Sequence, residues 1–209
     1  MNLFACYDDP VQAAQCLPDK HVCKMCIENA QMLAVAVGSL HGFGWGNIRK
    51  KDGSNYSEKA HFNHPSTKWI RESYANLAWA IAHGLALCDE FEHRYGKPHA
   101  SKVAHQDAER LFLENTPHTL DHAKSHSEFA RAMAYPEIKE DESINSVEAY
   151  RKYLTLHKPW ALWTKDETRK PTWWNPSFYE ECQSQSTESH TKSTASSNIQ
   201  NFTTASKKL

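Results

Sequence analysis

Apolar side chains recur every three or four residues along most of the chain up to residue 156, and this is the spacing of amphipathic helices. The longest such run starts after Ser66, which is placed to cap it, and reaches Tyr95, where Gly96 ends it. A second long helix is predicted from Asp19 to Leu40. The alternation of apolar and polar positions that marks strands is almost absent. The pattern therefore predicts an all-α fold, a single-domain helical bundle with a long central helix.

Capping signals place the shorter helices. Asp9 followed by Pro10 is a typical helix start, and the helix predicted there continues to about Cys16. Asn145 and Glu148 have the spacing of a capping box at the start of another helix. That helix is Ser146–Leu156, and two more helices are predicted at Ser101–Glu114 and Asp121–Ala134. Segment 41–65 is rich in Gly, Asn, Ser and Lys and predicts a long loop, and loops of this length are usually functional or disordered.

The chain changes character at residue 157. Segment 157–182 contains four tryptophans interrupted by prolines, which predicts an irregular strap packed against the helices. Segment 183–209 is rich in Ser and Thr and poor in large apolar side chains, which predicts a disordered tail. The predicted domain thus covers residues 1–182. The tryptophans of the strap are Trp160, Trp163, Trp173 and Trp174.

Charge and cysteine usage narrow the class of protein. The chain has 24 Lys and Arg against 25 Asp and Glu, a net charge of −1, which excludes a globally basic nucleic-acid-coating protein but allows a local basic face. The N-terminal residues lack the order of a secretory signal, and no segment offers the roughly 20 mostly apolar residues of a membrane span. The six cysteines fall mainly on apolar helical positions, which predicts free buried thiols. These features predict a soluble cytoplasmic protein with no membrane partner.

The first cluster of candidate functional residues lies at the start of the second long helix. Lys20, Lys24 and Glu28 follow one another at intervals of four, and His21 falls on nearly the same face. Glu28 is the only formal charge between Lys24 and Arg49, inside an otherwise apolar helix. A carboxylate withdrawn from water is a candidate general base, and cations near it are candidates for binding phosphate. The alternative is a Glu28 that pairs with a Lys or Arg to stabilise the fold.

Two further clusters lie at the two ends of the predicted central helix. They are His64, Arg71 and Asn76 at its start, and Arg94, Lys97 and His99 at its end. A helix N-terminus favours anions, so a cation such as Arg71 there needs a partner, for which Glu72, Glu28 and a ligand phosphate are the candidates. Cations at a helix C-terminus often do no more than interact with the helix dipole.

We predict that the three clusters converge in one cleft between helices. Glu28, His21 and His64 are the predicted catalytic residues. The predicted phosphate-binding residues are Lys20, Arg71, Asn76, Arg94, Lys97 and His99. One carboxylate among many cations suits a phosphate-bearing substrate, which predicts an enzyme acting on a nucleotide or a DNA base, for example by group transfer in base modification. The alternatives are a non-catalytic effector that binds a nucleotide or a host protein, and a scaffold, which leaves the charge of Glu28 unexplained.

Other sites are indicated more weakly. Cys23 and Cys26 form a single C-x-x-C pair inside a helix, whereas structural zinc usually needs a second ligand pair. A row of histidines at intervals of four lies in a highly polar stretch that favours solvated side chains; these are His118, His122 and His126. No metal is therefore predicted, and the sequence names no cofactor. The tryptophans and lysines of the strap have the composition of a nucleic-acid stacking platform, although tryptophans that cover a helical core are commoner.

Five segments of the chain are distinctive when they are taken in order: MNLFACYDDPVQAAQC, DKHVCKMCIENAQML, NHPSTKWIRESYANLAW, EFEHRYGKPH and SVEAYRKY. With these segments the chain resembles a family of small helical proteins from tailed bacteriophages, including cyanophage-like viruses, over most of residues 1–156. The resemblance implies a viral setting, and hence the cytoplasm of a host cell, and brings no reaction with it. In the family pattern aliphatic residues stand at the positions of Cys23 and Cys26, which argues further against zinc.

Overall fold

The computed structural model describes residues 1–117 and 125–176 of the chain. These residues form helices joined by irregular segments, and no strand occurs among them, so the predicted all-α fold is confirmed. Their helices are α1 (Pro10–Gln15), α2 (Asp19–Val37), α3 (Pro65–Glu72), α4 (Tyr74–Tyr95), α5 (Lys102–Asn115), α6 (Pro136–Lys139) and α7 (Ser146–His157). The predicted tail, 183–209, lies outside the described residues.

The core forms around α4, which packs against α1, α2, α3 and α5. Buried apolar side chains from these helices, from α7 and from the strap make one cluster, of which Leu33, Leu77 and Leu154 are fully buried members. Burial of such side chains is the main favourable term in folding, worth about 1.5–3 kcal/mol for each large one. The predicted long central helix therefore corresponds to α4, although α4 begins later than predicted.

The predicted helix from Ser66 to Tyr95 is wrong in its continuity, because the chain breaks it at Ser73. Ser73 is extended, with φ −155° and ψ 158°, and its hydroxyl accepts a hydrogen bond of 3.0 Å from the backbone N–H of Asn76. Ser73 thus caps α4 while it ends α3. His64 caps α3 in place of the predicted Ser66, since its Nδ1 accepts from the N–H of Ser66 at 3.3 Å.

Helix α2 ends at Val37 and not at Leu40, which is 68% exposed. The chain turns back on the last turn of α2, where the N–H of Phe43 donates to the carbonyl of Ala36 at 2.8 Å. These carbonyls are the ones that a helix end leaves without partners, so the returning chain satisfies them. Gly42 makes this possible, because a Cβ there would lie 2.1 Å from the carbonyl oxygen of Ala36.

The predicted helix Asp121–Ala134 is wrong over residues 125–134, which are irregular, and residues 118–124 lie outside the described part of the chain. Side chains from other elements bind the backbone here in place of helical partners. Asn76 Oδ1 accepts from the N–H of Ser127 at 2.9 Å, and the hydroxyl of Tyr150 donates to the carbonyl of Ala130 at 2.7 Å. These long-range bonds override the helical pattern of the sequence.

The predicted capping box is present at the start of α7. Asn145 Oδ1 accepts from the N–H of Glu148 at 2.9 Å, and Glu148 Oε2 accepts from the N–H of Asn145 at 3.1 Å. Asp9 caps α1 as predicted, with Pro10 at the first helical position.

The N-terminal segment and the strap are both fixed to the helices. Trp79 of α4 donates its indole N–H to the carbonyl of Asp8 at 2.6 Å, and the buried ring of His83 lies 3.1 Å from the carbonyl of Leu3. In the strap, Trp163 donates to the carbonyl of Cys16 at 3.0 Å. Both segments therefore meet near the start of α2.

Five cysteines lie in the described residues, and all are free; only Cys23 among them is not fully buried. Within residues 1–117 and 125–176, no helix combines the length and the apolar character needed to cross a membrane.

Candidate active site

A cavity of about 450 Å³ opens where the N-terminal segment, α2, the irregular segment 132–134 and the strap meet. From α2 it is lined by Lys20, His21, Lys24, Met25 and Glu28. These side chains share one face of the helix, as the four-residue spacing predicts. The structure thus assembles the first predicted cluster around a cavity.

Glu28 forms the floor of this cavity, and its side chain is only 11% exposed. Its Oε2 accepts a hydrogen bond of 2.9 Å from the backbone N–H of Asn2 and lies 3.7 Å from the α-amino group of Met1. Its Oε1 lies 3.2 Å from Nζ of Lys24. The carboxylate therefore faces two amino groups, one on each side.

The N-terminal segment adopts an unusual conformation to reach Glu28. Asn2 is held by two bonds, since its Oδ1 accepts from the N–H of Phe4 at 3.0 Å and its Nδ2 donates to the carbonyl of Ala132 at 2.8 Å. Phe4 has φ 49°, a left-handed conformation that is uncommon for residues other than glycine. Such conformations cost about 1–3 kcal/mol and cluster at functional sites. The fold thus maintains local strain in order to place the Met1–Asn2 backbone against a carboxylate.

His21 stands beside Glu28 in an aromatic setting. Its ring stacks on Trp160, with 5.4 Å between ring centroids, and meets the edge of Phe4 at 4.8 Å. Burial, reinforced by the charges of Lys158 and Lys24, lowers the pKa of His21 to about 4. The imidazole is therefore neutral at pH 7 and binds no phosphate as a cation. Its buried Nδ1 has no hydrogen-bond partner among the described residues, which leaves this atom available to a ligand.

His64 lies close to the same carboxylate without lining the cavity. Burial lowers the pKa of His64, the Met1 amino group lowers it further, and the charge of Glu28 acts in the opposite direction. Nδ1 of His64 caps α3, and the ring also hydrogen-bonds the backbone of Met1. The structure thus brings His64 near Glu28 and Met1, but as the cap of a helix.

Three lysines surround the mouth of the cavity. Lys24 is 71% exposed, and Lys20 and Lys158 hold their ammonium groups 5.4 and 5.9 Å from the ring centroid of Trp160. Sequence reasoning did not single out Asn2 or Lys158 as site residues. Lys158 carries a weak signal in its position beside a tryptophan, whereas nothing in the sequence around Asn2 marks it.

The second cluster has a different role from the one predicted. Arg71 donates to the backbone carbonyls of His41 and Phe62, each at 2.9 Å, and its guanidinium lies 3.8 Å from the ring centroid of Phe62. It therefore pairs with the long loop and with neither Glu72 nor Glu28. Asn76 is buried and bonds the carbonyl of Trp69 at 2.8 Å, so it joins α3 to α4. Neither side chain lines the cavity.

The third cluster also lies away from the cavity. Arg94 is buried, and its guanidinium bonds Glu90 at 2.7 Å and Asp19 at 3.0 Å. Lys97 is exposed beyond the end of α4, and Nδ1 of His99 accepts from the N–H of Ser101 at 3.1 Å. The three clusters consequently do not converge on one cleft, because the cations of the last two stabilise loops and helix ends.

Residues 1–103 match the family model described as pyrimidine dimer DNA glycosylase. The match covers the segment that supplies Met1, Asn2, His21 and Glu28 to the cavity, and it ends before the wall formed by residues 132–134 and the strap. Neither the curated proteins nor the solved structures contain a match to this chain. The bacteriophage origin stays a prediction, since the family match does not bear on it.

Within the matched segment one group of side chains has the composition of a metal site. One ligand atom each from Cys26, Cys88 and His99 lies within 4.8 Å of the others. Structural zinc takes four ligands, and Cys23, the other half of the C-x-x-C pair, is not in the group. Nδ1 of His99 is moreover occupied by Ser101. Of the predicted histidine row, His126 packs on Trp69 and Phe129, while the other two positions lie outside the described residues.

Proposed function

We propose that this protein is a DNA glycosylase that cuts the glycosidic bond of damaged pyrimidines, dimers in particular, in the cavity around Glu28. The observation that carries the proposal is that the family match and the cavity residues fall in the same segment of the chain. The segment similar to pyrimidine dimer DNA glycosylases is the one that places a buried carboxylate 3.7 Å from an amino group, inside a cavity edged with lysines.

The reaction of a glycosylase breaks the bond between C1′ of the sugar and a ring nitrogen of the base. In the proposed step an uncharged amine attacks C1′, the C1′–N bond breaks, and the base leaves with the electron pair of that bond. The proton lost by the amine passes to Glu28, which acts as the general base and returns it to the departing base. Opening of the sugar ring then gives an imine between C1′ and the amine.

Two amines stand close enough to Glu28 for this role. They are the α-amino group of Met1, 3.7 Å from Oε2, and Nζ of Lys24, 3.2 Å from Oε1. The Met1 amino group is the better placed, because it shares Oε2 with the N–H of the buried residue Asn2, whereas Lys24 extends toward solvent.

The lysines at the cavity mouth suit the DNA backbone. Lys20, Lys24 and Lys158 surround an opening that leads to a carboxylate, so they attract phosphates while Glu28 lies too deep to repel them strongly. The chain as a whole carries a net charge of −1, so this attraction is local. Neutral His21, with Nδ1 open, provides a hydrogen-bonding atom for the sugar or the base inside.

The decisive experiment uses a duplex that contains a single cyclobutane thymine dimer and compares the wild type with Glu28→Gln. Glutamine keeps the shape of Glu28 and its acceptor for Asn2, but it does not take up a proton. We expect cleavage of the glycosidic bond, scored as an alkali-labile break in the strand at the dimer, to fall by about 10²- to 10⁴-fold, the usual contribution of a general acid–base group. Glu109→Gln, on the exposed face of α5, is the matched control and should retain full activity.

Borohydride reduction during turnover reports on the amine. A covalent protein–DNA product, followed by peptide mapping, would identify Met1 or Lys24 as the attacking group. Cleavage of the glycosidic bond without a trapped product would replace the amine by water and leave the glycosylase assignment in place. A wild type that leaves the glycosidic bonds of the dimer intact, or a Glu28→Gln variant as active as the wild type, would contradict the proposed function. Transfer of a group to DNA, or tight nucleotide binding without turnover, would then favour the base-modification or effector hypotheses.

A further inference from the structure

Trp160 lies at the mouth of the cavity and is 47% exposed, more than any other tryptophan in the described part of the strap. The other tryptophans there serve the core. Trp163 and Trp174 are buried, and Trp173 donates its indole N–H to the hydroxyl of Tyr7 at 3.1 Å. Packing of the strap therefore accounts for three tryptophans and leaves Trp160 without a structural role of similar strength.

The ring of Trp160 is held in place from one side. It stacks almost parallel on His21, with an interplanar angle of 10°, and His21 is itself buried in α2. The backbone around it is fixed as well, since the carbonyl of Leu162 accepts from the N–H of Asp19 at 2.9 Å. The indole is thus presented in a fixed orientation, which lowers the entropic cost of stacking a further ring on it.

Trp160 also separates two cavities. On one side lies the cavity with Glu28, and on the other a smaller one of about 140 Å³ that is lined in part by Leu162, which is 60% exposed. Two large apolar side chains therefore reach solvent side by side at the entrance to the proposed active site.

The charges around Trp160 are mostly positive. Lys20 and Lys158 lie within 6 Å of its ring centroid, and Lys165 lines the smaller cavity. The nearest acid on that side, Asp19, is already occupied, because its Oδ1 bonds Arg94 and its Oδ2 accepts from Thr164. An aromatic face flanked by cations is the combination that binds bases by stacking and phosphates by charge.

We infer that Trp160 stacks on a nucleobase that has left the DNA helix beside the lesion, while Lys20 and Lys158 neutralise the phosphates on either side. This inference rests on the proposed function, since it concerns how DNA is held at the same site. It assigns recognition of the unstacked base to a residue beyond the segment that matches the glycosylase family.

The test compares two single strands with the same number of phosphates, an oligothymidine and a strand of abasic sites, in a fluorescence anisotropy titration. Trp160→Ala should weaken binding of oligothymidine about 5- to 150-fold, the range for loss of one base–aromatic stack, and leave the abasic strand unchanged. Trp160→Phe keeps an aromatic face and should retain most of the affinity. Leu113→Ala, which removes an exposed apolar side chain on α5, is the matched control.

Salt dependence separates stacking from charge. Lys20→Ala should reduce the slope of log K against log salt by about 1, whereas Trp160→Ala should leave that slope as it is. Equal losses on both strands, no loss on oligothymidine, or a Trp160→Phe variant as weak as Trp160→Ala would each overturn the stacking role. None of these results bears on the proposed function, which fails if the wild type does not cut the glycosidic bond or if Glu28→Gln is as active as the wild type. Binding to oligothymidine is measured in either case, so the two failures are distinguishable.

Discussion

The substitution Arg94→Met tests whether the guanidinium of Arg94 stabilises the fold or binds a ligand. In the structure this buried side chain bonds Glu90 Oε1 at 2.7 Å, Asp19 Oδ1 at 3.0 Å, and the backbone carbonyls of Leu17 and Gln15 at 2.9 and 2.8 Å. These contacts join the end of α4 to the end of α1 and the start of α2. Methionine matches the length of the aliphatic part of the arginine and removes all four contacts.

The expected cost follows from the two carboxylates that lose their partner. Breaking a buried ion pair by removing one member typically costs about 3–5 kcal/mol, because the remaining charge stays buried. Here each carboxylate keeps a second partner: Arg169 lies 3.1 Å from Glu90, and Thr164 donates to Asp19 at 2.9 Å. We therefore expect a loss of free energy of unfolding near the lower limit, about 3 kcal/mol. In a chain of this length that corresponds to a fall in Tm of about 6–12 °C.

Urea unfolding followed by circular dichroism measures this loss, and anisotropy with duplex DNA measures binding in parallel. Lys97→Ala, just beyond the end of the same helix, is the control, and its free energy of unfolding should change by no more than about 0.5 kcal/mol. The reasoning is refuted if Arg94→Met unfolds like the wild type but binds DNA more weakly, since that result would return Arg94 to the predicted phosphate-binding role.

Two further predictions concern the pH range and the packing of the core. The pKa of His21 is about 4 in the fold against an ordinary value of 6.5. As the pH falls below 6.5, the imidazole takes up a proton in the unfolded chain before it does so in the folded protein. The folded state is therefore most stable above pH 6.5 with respect to this group and loses stability as the pH falls toward 4. The free energy of unfolding in urea should therefore fall over that range by up to about 3 kcal/mol on account of His21, and His21→Gln should remove that share of the fall. Gly84→Ala should destabilise the protein by about 1–3 kcal/mol, because the new Cβ would lie 2.1 Å from Cδ2 of His105 and 2.6 Å from Oδ1 of Asn29. A Gly84→Ala variant with unchanged thermal unfolding would show that these buried side chains have room to move.

Sequence reasoning succeeded where the signal is local. The capping box of Asn145 and Glu148 and the cap at Asp9 depend on residues only a few positions apart, and the structure contains both. The helical spacing predicted that His21 and Glu28 share one face of α2, and in the structure both line the same cavity.

Sequence reasoning failed where contacts between residues far apart in the chain determine the local structure. The sequence around Ser73 fits a continuous helix, and only the structure shows that the hydroxyl of Ser73 caps α4. Residues 125–134 have a helical pattern, but their backbone is irregular and bonds the side chains of Asn76 and Tyr150. Arg94 resembled a ligand-binding cation because the sequence does not show that Asp19 and Glu90 enclose it. The part played by Asn2 depends on contacts with Glu28 and Ala132, which no local pattern encodes.

The two walls of the cavity come from separate stretches of chain, which has a consequence for how such a protein can diversify. The acid and the amines belong to the first 28 residues, where the Asn2–Glu28 bond and the conformation of Phe4 tolerate little change. Trp160 and Leu162 project from the strap, whose backbone is attached to α2 through the carbonyl of Leu162. New side chains at those two positions would alter the shape of the entrance while the reacting groups stay where they are. Under the proposed function, selectivity for one form of DNA damage over another is therefore open to directed evolution by a library confined to the strap.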